Sequence, residues 1–200
     1  MAFITIGEAR AKGASARSYR TSERVLKEEV ENLRKSTARY DIFLSHSFTD
    51  ADLVLGVKRI LEEEGNLRVF VDWVEHPELD RSRVTAETAA IIRAAMENSN
   101  SMIFATSDAS PSSKWMPWEL GFFDGKRGAD KVAILPLVDT EGRDFRGQEY
   151  LALYGKIERR DLQVAKALGL MRMPSNLCVV STSRGGGQTS ASVADFVRVR

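Results

Sequence analysis

The stretch "YDIFLSHSFTDADLVLGVKRILEEEG", Tyr40–Gly65, sets two hydrophobic periods side by side. Tyr40–Ser45 is a short apolar run of β-formers, the pattern of a strand covered on both faces. From Thr49 the period changes, and Leu53, Val57, Ile60 and Leu61 fall on one helical stripe. Thr49 or Asp50 can cap the start of that helix, and Gly65 can end it. A buried strand followed closely by an amphipathic helix is the first half of a βαβ unit.

The alternation continues downstream. "LRVFVD" (67–72) reads as a strand, "TAETAAIIRAAMENS" (85–99) as a helix and "SMIFATS" (101–107) as a strand. "SSKWMPWELGFFDG" (112–125) is the next helix and "KVAILPLV" (131–138) the next strand. Strands joined through helices by short links imply right-handed crossovers and a parallel sheet. The expected fold class is therefore α/β: a flavodoxin-like open parallel sheet of about five strands flanked by helices. Two segments qualify for the fifth strand, "YLALYG" (150–155) and "NLCVVS" (176–181). The second is preferred because "SASVADFVRV" (190–199) after it can form a closing helix. "SRGGGQTS" (183–190) lacks the GK[ST] ending of a phosphate loop and reads as a flexible loop.

Upstream, residues 1–20 are rich in Ala, Gly, Ser and Arg and read as loosely ordered. The spacing of Val25, Val30 and Leu33 among Glu and Lys suggests a surface helix over 21–35. The chain thus divides into an extension, 1–38, and a main domain, 39–200, whose motifs concentrate in 39–140.

Composition narrows the function classes. Of the 200 residues 43% are hydrophobic and 28% charged, ordinary values for a globular domain. The net charge of +1 offers no bulk attraction for nucleic acid or a membrane surface. The first forty residues lean basic, nine Lys or Arg against five Glu, but these charges are scattered as on a solvated segment. One cysteine, Cys178, rules out an internal disulfide and reads as a small buried hydrophobe. No apolar run is long enough to span a bilayer and "MAFITIGEAR" has no signal-peptide pattern, so a cytoplasmic location is expected. The two histidines, His46 and His76, sit in no ligand-spaced cluster, so no metal is expected. No G-x-G-x-x-G follows a strand, which argues against a dinucleotide dehydrogenase.

In an open parallel sheet, ligands gather at the carboxyl ends of the strands. Those ends carry "SHSF" (45–48), "DW" (72–73) and "TSDASPSS" (106–113), the last leading into the helix of Trp115 and Glu119. Glu119 is the odd residue. It lies four positions from Trp115, flanked by Trp118 and Phe122 on one side and by Met116 and Phe123 on the other. An unpaired charge in such an apolar arc is costly. Taken alone, the segment allows two readings: a buried carboxylate paired with an arginine, or a carboxylate at the wall of a pocket. The convergence of hydroxyls, an acid and tryptophans on one rim favours the second.

Together, "YDIFLSHSFTDADLV", "RVFVDW" with the flap "VEHPELDRSRV" (74–84), "SSKWMPWELGFFDG" and "KVAILPL" resemble, in order, the first strand and loop, the second strand and its mobile loop, the tryptophan-x-x-x-glutamate helix and the fourth strand of a bacterial Toll/interleukin-1 receptor (TIR) domain. The resemblance implies an enzyme that cleaves the nicotinamide–ribose bond of NAD+, leaving ADP-ribose or a cyclic isomer. It makes Glu119 the catalytic acid and places Trp115 beside it in the pocket. It gives Ser45, His46, Ser47 and Phe48 to a loop bordering the nucleotide, and Asp72 and Trp73 to the start of the flap. It implies no cofactor, NAD+ being the substrate. Its further implications are TIR–TIR self-association and, by likeness to the sensor subunits of Thoeris-type antiphage defence, a separate effector reached through a diffusible product. The alternative is a non-catalytic TIR interaction module, an adaptor or a mimic of host adaptors; signalling TIR domains commonly lack the glutamate present here.

Overall fold

On the strand Tyr40–Ser45, Ile42 and Leu44 leave one face and Phe43 the other, all fully buried, so this strand needs cover on both sides. The computed structural model supplies it. It describes residues 3–15, 39–46, 51–71, 86–107, 113, 115–140, 147–159, 176–182 and 186–198. The elements run β1 (Ile4–Thr5), α1 (Ile6–Ser15), β2 (Tyr40–Ser45), α2 (Ala51–Gly65), β3 (Val69–Val71), α3 (Ala86–Glu97), β4 (Ser99–Ser107) and α4 (Trp115–Arg127). They continue with β5 (Val132–Val138), β6 (Gly155–Arg159), β7 (Leu177–Thr182), β8 (Gln188–Ser192) and α5 (Val193–Arg198).

One sheet has the order β3-β2-β4-β5-β6-β7-β8. The pairs from β3 through β6 are parallel and follow the doubly wound order expected of a flavodoxin-like sheet. The side chains sort by strand alternation into two cores. Ile42, Leu44, Ile103, Ala105 and Leu135 meet Val57, Ile60 and Leu61 of α2 and Val193 and Val197 of α5. Phe43, Met102, Phe104 and Ile134 meet Ile92 and Met96 of α3 and Met116, Leu120 and Phe123 of α4. Complete burial of one such side chain is worth about 1.5–3 kcal/mol.

The structure corrects several of these expectations. Residues 3–15 are not loosely ordered. β1 pairs in parallel with the carboxyl-end half of β5, Ile4 opposite Leu137, while β6 holds the amino-end half, Gly155 opposite Ala133. α1 then crosses α2 at two glycines: a Cβ on Gly56 would stand 1.7 Å from the Ala9 carbonyl oxygen, and one on Gly13 would stand 2.1 Å from that of Asp52. Small residues that looked like loop composition are what lets two helix backbones touch.

The fifth parallel strand is neither segment considered for it. It is "GKIER", and Glu149–Leu153 ahead of it is a 3-10 turn. "NLCVVS" is a strand, but antiparallel to β6, and Gln188–Ser190 from the glycine-rich stretch opens the antiparallel β8 instead of a loop. Its carbon-poor, partly exposed side chains hid it: a two-sided edge hairpin shows little periodicity. The closing helix exists but begins only at Val193, where the Ser192 hydroxyl accepts the Asp195 amide at 3.0 Å and caps it. Finally, α2 runs through Gly65, and it is Asn66, at φ 50°, that turns left-handed to stop it. The expected surface helix over 21–35 lies outside the described residues.

At the outer edge of β3, Lys58 and Glu62 of α2 form an ion pair at 2.5 Å. The Lys58 ammonium also donates to the Val69 carbonyl at 3.1 Å, and Glu62 accepts the Val69 amide at 3.4 Å. These side chains take the place of a further strand at that residue.

Candidate active site

Ser45 ends β2, at the carboxyl edge of the sheet. Two residues beyond Phe43, it shares that side chain's face, the one covered by α3 and α4. Helix α4 starts where the Ser113 hydroxyl accepts the Met116 amide at 3.3 Å. Pro117 falls in its first turn, where a missing amide costs nothing, and is exposed. The buried stripe of α4 is Met116, Glu119, Leu120 and Phe123. Three of these enter the core; Glu119 meets the end of β2.

There the Ser45 hydroxyl donates to Glu119 Oε2 at 2.5 Å. Ser45 is 0% and Glu119 2% exposed. A short O–H···O⁻ contact in such surroundings is charge-assisted and worth about 1.5–3 kcal/mol. The carboxylate is therefore buried at the carboxyl ends of the strands, on the face of α4 that looks at the sheet. Thr106, two residues past Phe104 on β4, is also buried and by alternation lies on this same face.

The aromatic residues around Glu119 are unequally buried. Trp115, Trp118 and Phe122 are half-buried on the flank of α4. The Trp115 and Trp118 rings meet edge to face at 5.3 Å, and Trp118 stacks on Phe122 at 6.0 Å. The Arg93 guanidinium of α3 lies over both outer rings, 5.3 Å from the Trp118 centroid and 5.9 Å from that of Phe122. Further along, Arg127 donates to the Glu97 carbonyl at 2.7 Å and Lys126 pairs with the Glu97 carboxylate at 3.1 Å. Helix α3 thus holds α4 at two levels. Arg93 was not singled out in the sequence; its signal was a lone arginine in the otherwise apolar "AAIIRAAM".

On the other flank, the Tyr154 hydroxyl donates to Asp124 at 2.9 Å. Burial, then this hydrogen bond and the Asp124 charge, push the Tyr154 hydroxyl up to about 12.

Of the expected site residues, the structure brings Ser45 and Glu119 into contact and puts Trp115 one turn before Glu119 on the same helix. His46 follows Ser45, half-buried, with its Nδ1–H donating to the Leu44 carbonyl at 3.1 Å. Ser47, Phe48, Asp72 and Trp73, with the flap 74–84, lie outside the described residues. Asp41 sits at the opposite end of β2 and accepts the Arg68 amide at 2.8 Å. Among the described residues no group of three or more His, Cys, Asp or Glu could hold a metal ion. No helix among them is long and apolar enough to cross a membrane.

Comparison with known proteins adds to this geometry. The TIR domain family model matches residues 42–168. A Bacillus cereus (strain MSX-D12) protein named a probable 3' cyclic ADP-D-ribose synthase is 48% identical over 144 residues, covering 69% of this chain and 72% of that protein. A Cytobacillus dafuensis protein provisionally named a cyclic ADP-D-ribose synthase is 27% identical over 111 residues, covering 54% of this chain and 28% of that protein.

Proposed function

The chain belongs to the TIR domain family, and from that premise we propose that it cleaves the nicotinamide–ribose bond of NAD+ with Glu119 as its catalytic carboxylate. The observation that supports this most is the Glu119 carboxylate, buried at the carboxyl edge of the sheet and held by Ser45.

In the reaction the C–N bond breaks and its electron pair goes to the pyridinium nitrogen, so nicotinamide leaves neutral. The ribose left behind carries oxocarbenium-like positive charge. A fixed carboxylate nearby stabilises that charge as it develops, and can orient the sugar by accepting its hydroxyls. Capture by water gives ADP-ribose; capture by a hydroxyl of the same molecule, with loss of its proton, gives a cyclic isomer. The names of both relatives favour the cyclic product. Trp115, half-buried one turn before Glu119, supplies an aromatic wall for a base or the nicotinamide ring. His46, Ser47, Phe48, Asp72 and Trp73 border the nucleotide in this reading, and no cofactor is required.

The product serves as a signal in bacterial antiphage defence and acts on a separate effector. The flap 74–84 mixes Glu75, Glu78 and Asp80 with Arg81 and Arg83. That pattern suits a reversible, salt-sensitive contact between copies that completes the site. The test is to incubate purified protein with NAD+ over a wide range of protein concentration, separating products by chromatography and mass. Nicotinamide release with specific activity that rises with concentration, and flattens when Arg81 and Arg83 are reversed to Glu, is expected. Intact NAD+ at every concentration refutes the activity; strict proportionality to enzyme refutes the contact.

A further inference from the structure

We propose that Ser45 is a positioning residue for Glu119 rather than a contact for the nucleotide. The inference rests on the NAD+-cleaving reading and changes the role that the resemblance gave to Ser45.

A glutamate on a helix has several rotatable bonds, and its carboxylate sweeps a wide arc unless something stops it. Ser45 is placed to stop it. It closes β2, which lies between β3 and β4, and pairs opposite Phe104, so its backbone is held from the sheet interior. Its side chain is fully buried and its hydroxyl hydrogen points to Glu119 Oε2 at 2.5 Å. That hydroxyl is spent on the carboxylate, and the bond spans the joint between sheet and helix. One end of that joint is set by the strand ladder. The other is set by Met116, Leu120 and Phe123 in the core, by Arg93 reaching across from α3, and by Arg127 of α4 reaching back to the Glu97 carbonyl. The bond therefore fixes where negative charge sits relative to the strands' carboxyl ends, where the sugar has to lie.

Such a role predicts a loss in turnover and not in substrate affinity. With nicotinamide release measured on the full chain at high protein concentration, Ser45→Ala should lower kcat about 10- to 100-fold, the usual range for losing one hydrogen bond to a charged group. KM for NAD+ should stay within about twofold. Ser45→Cys keeps the volume but donates weakly and should behave like Ala, whereas Ser45→Thr keeps the hydroxyl and should recover most of the loss. If KM rises while kcat holds, Ser45 contacts the nucleotide and the proposal is overturned. Equal activity of the Ala and wild-type chains overturns it too, as does recovery by Cys, which would mean that shape alone matters. A double-mutant cycle in denaturant, pairing Ser45→Ala with Glu119→Ala so that each single change removes the bond, reads it without turnover. Additive losses there overturn the proposal, whereas coupling supports it. A wild-type chain that leaves NAD+ intact instead overturns the activity reading, and the cycle still decides whether Ser45 holds the carboxylate.

Discussion

Replacing Glu119 separates what the carboxylate does for the fold from what it does for chemistry. Glu119→Gln keeps the length and one oxygen that can accept from Ser45, and removes only the charge. In the folded state two effects then oppose each other. The charge-assisted bond at 2.5 Å becomes a neutral one, a loss of about 1 kcal/mol. Against this, a charge that is 2% exposed no longer has to be kept out of water, a gain of comparable or larger size. Stability should therefore stay level or rise. Glu119→Ala differs: it leaves the buried Ser45 hydroxyl without this acceptor and opens a void in the buried stripe of α4. Together these cost about 3 kcal/mol, or roughly 6–12 °C in melting temperature for a chain of this size. Both variants should lose about 10²–10³ in nicotinamide release, because neither presents a negative charge to the developing oxocarbenium. Calorimetry and product chromatography on the same preparations check the pair. A Gln variant with near-wild-type turnover refutes the catalytic role; a Gln variant that melts as early as Ala refutes the account of the burial.

Gly56→Ala should destabilise the protein by about 1–3 kcal/mol despite the better helix propensity of alanine, since the new Cβ would press on the Ala9 carbonyl 1.7 Å away; denaturant titration checks this. Arg93→Ala should shift the tryptophan emission and cost about 1 kcal/mol by uncovering Trp118 and Phe122, while Arg93→Lys should recover part of the stability. Tyr154 has a folded pKa raised to about 12 from 10.0, so the native state holds this proton more tightly than the unfolded chain. Its contribution is complete below about pH 10 and is lost as pH climbs toward 12; tyrosinate absorbance should lose its late-titrating component in Tyr154→Phe.

The part of the fold that repeats a local rule was legible in the sequence. Each of β2, β3, β4 and β5 is an apolar run followed by a change of period, and burial on two faces writes itself into such runs whatever the neighbours are. Glu119 stood out for the same reason, as a charge at a helical position otherwise given to carbon. The small-residue face of α1 carried no such mark, although Thr5, whose hydroxyl accepts the Glu8 amide at 3.1 Å, is a readable cap three residues before an acid.

What the sequence by itself determined is the alternation of strand and helix, and hence the parallel sheet with Glu119 near its carboxyl edge. Local backbone preference and the cost of exposing apolar side chains act within a few residues, so they can be read within a few residues. Only the tertiary structure decided which groups meet across distance. It set β1 beside β5, made "GKIER" the fifth parallel strand, laid Arg93 over Trp118 and joined Ser45 to Glu119, 74 residues away. Those contacts depend on how whole faces dock, and no period along the chain records them.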